Sequence, residues 1–140
     1  DVTDDDLLNG MGDVVIGVIN AHNYSASHDS AMNKAYVEAF RKANNGMRPN
    51  FMSVGGYDGM HLIYEALKKT NGSTDGEKLL AAMKGMAWES PRGPISIDPE
   101  TRDIVQNIYI RKVDKVNGEL YNVEFATIPN VKDPVKAAKK

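Results

Sequence analysis

One stretch limits the choices for this chain more than any other. Val14-Val15-Ile16-Gly17-Val18-Ile19 is continuous, apolar and rich in β-branched side chains. It has the length of a strand, and its lack of alternation predicts a strand covered on both faces. It falls far short of the ~20 apolar residues needed to cross a bilayer, as does every other run. A strand buried on two sides needs helices or further strands around it, so the rest of the chain is read for that cover.

The pattern after it supplies helices. Asp29 or Ser30 caps a helix whose face carries Met32, Tyr36, Val37 and Phe40. Asn45-Gly46 stops it, and Phe51-Met52-Ser53-Val54 reads as a short strand. Gly55-Gly56 then turns the chain into a helix with Met60, Ile63, Tyr64 and Leu67 as its apolar stripe, closed by Asn71-Gly72. Thr74-Asp75-Gly76-Glu77 has the form of a capping box before a third helix with Leu79, Leu80, Met83 and Met86. The three helices are expected near 31–44, 57–70 and 76–86. Trp88 to Pro94 reads as irregular and Ile95-Ser96-Ile97 as a brief strand. Val105 to Val113 and the alternating Tyr121, Val123 and Phe125 flank Asn117-Gly118, the strongest short hairpin signal in the chain. From Lys132 onward the lysine-rich tail is expected to fray. The fold class is α/β.

With 140 residues the chain holds one domain and not two complete ones. Hydrophobic residues at 41% and charged residues at 26% are ordinary for a globular protein and argue against disorder. A net charge of -2 gives no basic excess for phosphates, so a nucleic-acid partner is not expected. Without cysteine there is no disulfide framework, thiol nucleophile or cysteine-ligated metal. The start, Asp1-Val2-Thr3-Asp4-Asp5-Asp6, carries no signal-peptide pattern. The chain is therefore either not exported or a mature or truncated piece. The acidic triplet is read as a helix cap, since its spacing does not match a calcium loop.

Catalytic patterns are missing. There is no G-x-S-x-G elbow, no H-E-x-x-H, no Walker lysine and no histidine pair at helical spacing. His22, His28 and His61 are read as ordinary hydrogen-bonding histidines, and neither a metal nor a cofactor is expected. Tyr24, Tyr57, Tyr64 and Trp88 are the aromatics that could stack on a ligand.

The string from Phe51 through Gly55-Gly56-Tyr57-Asp58-Gly59-Met60 to Leu67 resembles the "GYDA…AL" helix of type I periplasmic solute-binding proteins. These are the leucine/isoleucine/valine-binding family and its aromatic-acid-binding relatives. Asn33 to Lys42, Leu79 to Met83, Ser90-Pro91-Arg92-Gly93-Pro94-Ile95-Ser96-Ile97-Asp98 and Gln106 to Val113 are similar, in order, to other segments of that family.

The resemblance implies the C-terminal part of a two-lobed "Venus flytrap" with parallel sheets flanked by helices. It implies second-lobe elements at 1–16 and 106–128, first-lobe elements at 30–97, hinge crossings at 17–29 and 98–105, and a tail at 129–140. It also implies a periplasmic protein that carries a small organic solute, an amino acid or an aromatic carboxylate, to the membrane permease of an ABC transporter. The ligand contacts expected on this chain are His22, Tyr24, Met52, Ser53, Val54 and Tyr57. A chain holding one wall of a cleft is expected to self-associate or to pair with the rest of the protein. The residues alone leave open an α/β hydrolytic enzyme with an unrecognised site, or a ligand-sensing regulator on the same fold.

Overall fold

The computed structural model describes residues 2–138. Its organising element is one long strand, β4 (Ile104–Val116), which turns at Asn117-Gly118 into an equally long β5 (Glu119–Val131). Both turn residues take positive φ, 51° and 85°, as a tight two-residue hairpin turn requires. β5 occupies one edge of β4 along most of its length. The other edge is shared. β3 (Gly93–Ile97) pairs with 104–106, and β1 (Ile19–His22) pairs with 109–112. β2 (Ala87–Ser90) completes the sheet beside β3. All of these pairings are antiparallel, which corrects the expectation of parallel strands for the described residues. The reason is local for three of the pairings. β2–β3 and β4–β5 are hairpins and β3–β4 are joined by a short turn, so no helical crossover separates them. β1, by contrast, reaches β4 only after three helices and two strands.

Three helices overlap the stretches where helical periodicity placed them, as α2 (Ala31–Ala43), α3 (Phe51–Lys69), which starts before 57, and α4 (Gly76–Met83), which stops before Met86. The Ser30 side chain caps α2 by accepting from the Asn33 amide. Single helical turns form α1 (Leu8–Met11) and α5 (Pro134–Ala137).

Several local expectations are corrected. Phe51 to Val54 is the first turn of α3 and not a strand. Asn50 accepts from the Met52 and Ser53 amides while Ser53 accepts from the Asn50 amide, so a capping box starts the helix there. Gly55 and Gly56 lie within that helix, each costing about 1 kcal/mol relative to alanine, and a Cβ at either would meet nothing within 4 Å. Asp75, not Thr74, caps α4. The Trp88–Pro94 segment is β2, a turn at Pro91-Arg92, and the start of β3. The tail is held by Lys132–Asp98 and Lys136–Asp103 contacts, both 2.8 Å. Lys139 and Lys140 lie outside the described residues.

The Val14–Ile19 run is also not a buried strand. Its first residues form a 3-10 turn, Gly17 takes φ 89°, and only Ile19 enters β1. Val15 is buried against Leu8, Val113 and Leu120, whereas Ile16, Val18 and Ile19 are exposed. The stripe Met60–Ile63–Tyr64 on α3 is likewise exposed, and the helix turns Val54, Asp58 and Ala66 inward instead.

Apolar residues are therefore left open on both the helical and the sheet side. On the sheet, Ile19, Lys112, Asp114, Val123 and Phe125 line an open depression of about 390 Å³. Uncovered apolar surface of this kind favours association in water. Light scattering coupled to size exclusion on the isolated chain should show species larger than a monomer. Addition of the remainder of the protein should suppress them, and a stable monomer at high concentration would contradict this reading.

Candidate functional site

Two buried polar assemblies organise the region where β1, β3 and β4 meet. The first joins two of the sequence motifs. Arg92, in the turn between β2 and β3, donates from Nε to Asp58 Oδ2 on α3 at 2.8 Å, with both side chains almost fully buried. Ser90 Oγ donates to the same carboxylate oxygen at 3.0 Å. Arg92 Nη1 donates to Gln106 Oε1 at 2.9 Å, and Asn23 Nδ2 donates to that same oxygen at 3.1 Å. Tyr109 donates its hydroxyl to the Arg92 carbonyl. Gly93, at φ 94°, lies so close beneath that hydroxyl that a Cβ would land on it. A side chain is excluded there on two counts, strain and collision.

The second assembly surrounds Asp5. Its carboxylate accepts from the Ala26 amide at 2.9 Å and from Asn122 Nδ2 at 3.1 Å, and Arg111 Nη1 lies 3.9 Å away. Arg111 Nε donates to Asn20 Oδ1 at 2.7 Å. Burial pushes the Asp5 carboxyl up, and the hydrogen bonds and Arg111 oppose that push. The acidic start is thus an anchor for the 24–26 segment and not a helix cap. Among the described residues no group of three or more acidic or histidine side chains could hold a metal ion.

The six expected contact residues fall into three environments. The His22 ring, at the end of β1, packs against Phe51 with centroids 4.7 Å apart, which brings it to the start of α3 beside the exposed Met52. Burial lowers the His22 pKa below the usual histidine range and favours its neutral form. Ser53 accepts from the Tyr36 hydroxyl at 3.1 Å, and Tyr57, one turn further along and half exposed, packs on the Tyr36 ring at 5.0 Å. Tyr24 and Val54 are fully buried, and Tyr24 donates its hydroxyl to Asn33 Oδ1 at 3.0 Å. His22, Met52, Ser53 and Tyr57 therefore share the N-terminal end of α3, while Val54 faces inward from the same turn and Tyr24 packs on α2 through Asn33 and the Tyr36 ring. Sequence reasoning missed Phe51 and Tyr36, which bind these pieces together. It also missed the Asp58–Arg92 pair, although a carboxylate one turn from Val54 on a buried helix face was a signal that a cation must come to it.

His28 makes a separate contact with Glu124 at 2.8 Å, on a ring that packs against Tyr109. Glu124 raises the His28 pKa, with burial opposing it and Glu89 and Asp29 adding to it.

The sequence pattern described as periplasmic binding protein matches residues 1–119. A solute-binding protein of an ABC transporter from Rhodopseudomonas palustris BisB5, crystallised in complex with 3,4-dihydroxy benzoic acid, is 71% identical, with a TM-score of 0.94 over 97% of this chain and 37% of that one. A second from Rhodopseudomonas palustris HaA2, in complex with p-hydroxybenzoic acid, is 41% identical, with a TM-score of 0.89 over 99% of this chain and 38% of that one. A Leu/Ile/Val-binding protein homolog 6 of Brucella abortus is 47% identical over 136 residues, which are 96% of this chain and 35% of that protein. The chain thus spans about a third of the length of the curated relatives it matches.

Two outcomes follow from the geometry. Replacing Arg92 by leucine strands the Asp58 carboxylate and should cost about 3–5 kcal/mol in urea unfolding. Adding Asp58→Asn should restore much of that loss, and an equal loss in the double variant would show that the pair is not coupled. The stability His28 gains from Glu124 is fully present below the unfolded histidine value of about 6.5. It is lost as the pH rises through the raised folded value. The stability difference between wild type and His28→Gln should therefore shrink as the pH is raised from about 6.5 upward, and a constant difference would refute the assignment.

Matching of the family pattern over most of the length, joined to the agreement in fold, makes this chain a member of the periplasmic binding protein family.

Proposed function

We propose that this chain is part of a periplasmic solute-binding protein that carries an aromatic carboxylate to the permease of an ABC transporter. The observation that carries the reading is the 71% identity to a solute-binding protein in complex with 3,4-dihydroxy benzoic acid. The chemistry at the N-terminal end of α3 agrees with it. His22, Phe51, Met52 and Tyr57 offer apolar and aromatic surface, and burial favours neutral His22. Such a wall suits the ring of the ligand. The carboxylate must then be met by donors outside this chain.

In this reading residues 30–97 belong to one lobe and 1–16 with 106–128 to the other, with crossings at 17–29 and 98–105 and the tail at 129–140. The packing of Leu8 and Val15 on Val113 and Leu120 supports grouping the two outer segments. Arg48 reaches across from the first group, contacting Glu119 at 3.2 Å and the Tyr121 ring at 3.7 Å.

Calorimetry on the full-length protein tests the assignment. 4-Hydroxybenzoate and 3,4-dihydroxybenzoate should bind saturably and be recovered unchanged. Met52→Ala should weaken binding about tenfold, equivalent to about 1.4 kcal/mol. Tyr24→Ala should lower stability more than affinity, because the side chain is core. Binding of leucine with no response to either aromatic acid would overturn the ligand class, and turnover of the ligand would overturn carriage altogether.

A further inference from the structure

The sheet contains a seam. On one edge of β4, β3 ends its pairing at Gln106 and β1 begins at Tyr109, so two strands abut end to end with Asn107 and Ile108 between them. The register with β5 on the opposite edge also slips between Gln106 and Ile108. An irregularity of this kind bends a strand and leaves a residue unpaired. Backbone pairing is therefore interrupted at one level on both edges of β4, while a second shift, between Ile110 and Arg111, affects the β5 edge alone.

One side chain spans that level. Gln106 Oε1 accepts from Arg92 Nη1 at 2.9 Å and from Asn23 Nδ2 at 3.1 Å. Arg92 belongs to the turn entering β3 and is itself locked to Asp58 on α3. Asn23 directly follows β1. A single amide oxygen thus ties together the two strands that the backbone leaves unjoined. Both lone pairs of the oxygen are used, and one donor is a buried guanidinium, which makes the contact charge-assisted.

We propose that Gln106 is a positioning residue that straps the hinge and sets how far the two lobes open. The proposal rests on the two-lobe reading above. In that reading the three residues joined come from three different units: Arg92 from the 30–97 lobe, Asn23 from the 17–29 crossing and Gln106 from the 106–128 lobe. A change in lobe angle bends the sheet at its seam, and that bend separates Arg92 and Asn23 from the shared oxygen. Asn23, one arm of the strap, also contacts His22 Nδ1 through its Oδ1 at 2.7 Å, so the strap adjoins the expected ligand wall.

Distance measurements between spin labels on the ligand-free full-length protein test this without reference to any ligand. The described chain contains no cysteine, so labels can be placed at Lys69→Cys on the last turn of α3 and at Lys115→Cys near the end of β4. Gln106→Leu removes the acceptor and should add a population at longer distances. Gln106→Glu keeps the acceptor and should restore the wild-type distribution. Asn23→Ala removes one arm, should broaden the distribution less, and decides the matter if Gln106→Leu does not fold. Distributions for Gln106→Leu and Asn23→Ala that superimpose on wild type would overturn the strap. Absence of aromatic-acid binding in the wild type would instead overturn the ligand assignment and leave these distances to decide the strap.

Discussion

The contact between Arg92 and Asp58 sets most of what the rest of the chain can do. A guanidinium and a carboxylate removed from water lose several kcal/mol of hydration each, and only close, well-directed pairing repays that loss. Here the pair sits between α3 and the β2–β3 turn, with Ser90 and Gln106 using further hydrogen-bonding capacity. The helix cannot slide or rotate on the sheet without uncovering a charge. The N-terminal end of α3, with Met52, Ser53 and Tyr57, is thereby fixed relative to β1 and His22. Tyr109 and Gly93 complete the arrangement, since the hydroxyl that holds the Arg92 carbonyl occupies the space a side chain at 93 would take.

The sheet distributes this rigidity unevenly. Paired strands are stiff along their ladders, and only on its β5 side does β4 keep one partner along most of its length, with register shifts at Gln106/Ile108 and Ile110/Arg111. Where backbone pairing stops, the Gln106 side chain does the joining, and Arg111 with Asn20 reinforces a paired position of the β1–β4 ladder beside it. Buried amide and guanidinium groups suit that task because they are directional and costly to leave unpaired. Apolar contacts, which tolerate sliding, are concentrated away from the seam in the Leu8, Val15, Val113 and Leu120 cluster.

What the sequence disclosed follows the range of the forces involved. The Asn117-Gly118 turn and the Ser30 cap are decided by their own backbone and neighbours, and both stand where local chemistry put them. Asn50 was an equally local signal, but a strand-like Phe-Met-Ser-Val string and two glycines obscured it, and α3 begins six residues earlier than periodicity suggested. The Val14–Ile19 run failed for a different reason. Its apolar character reports a need for cover, and the described residues supply that cover only at Val15. For the candidate site, Met52, Ser53 and Tyr57 could be gathered from the motif around Gly55-Gly56-Tyr57, and His22 from the loop after Val18. The burial of Tyr24 could not, because it depends on Asn33 and Tyr36 arriving from a helix that no spacing rule links to it.

The aromatic wall proposed at this end of α3 is one side of a cleft, so the ligand should be enclosed only when the remaining protein closes over it. Hydrogen exchange on the full-length protein, with and without saturating 4-hydroxybenzoate, reads that closure directly. Slowed exchange in the peptides covering 19–24 and 50–58, beyond that of the β4–β5 hairpin tip, is the predicted result. Ligand-induced protection that leaves those two peptides unchanged would contradict it.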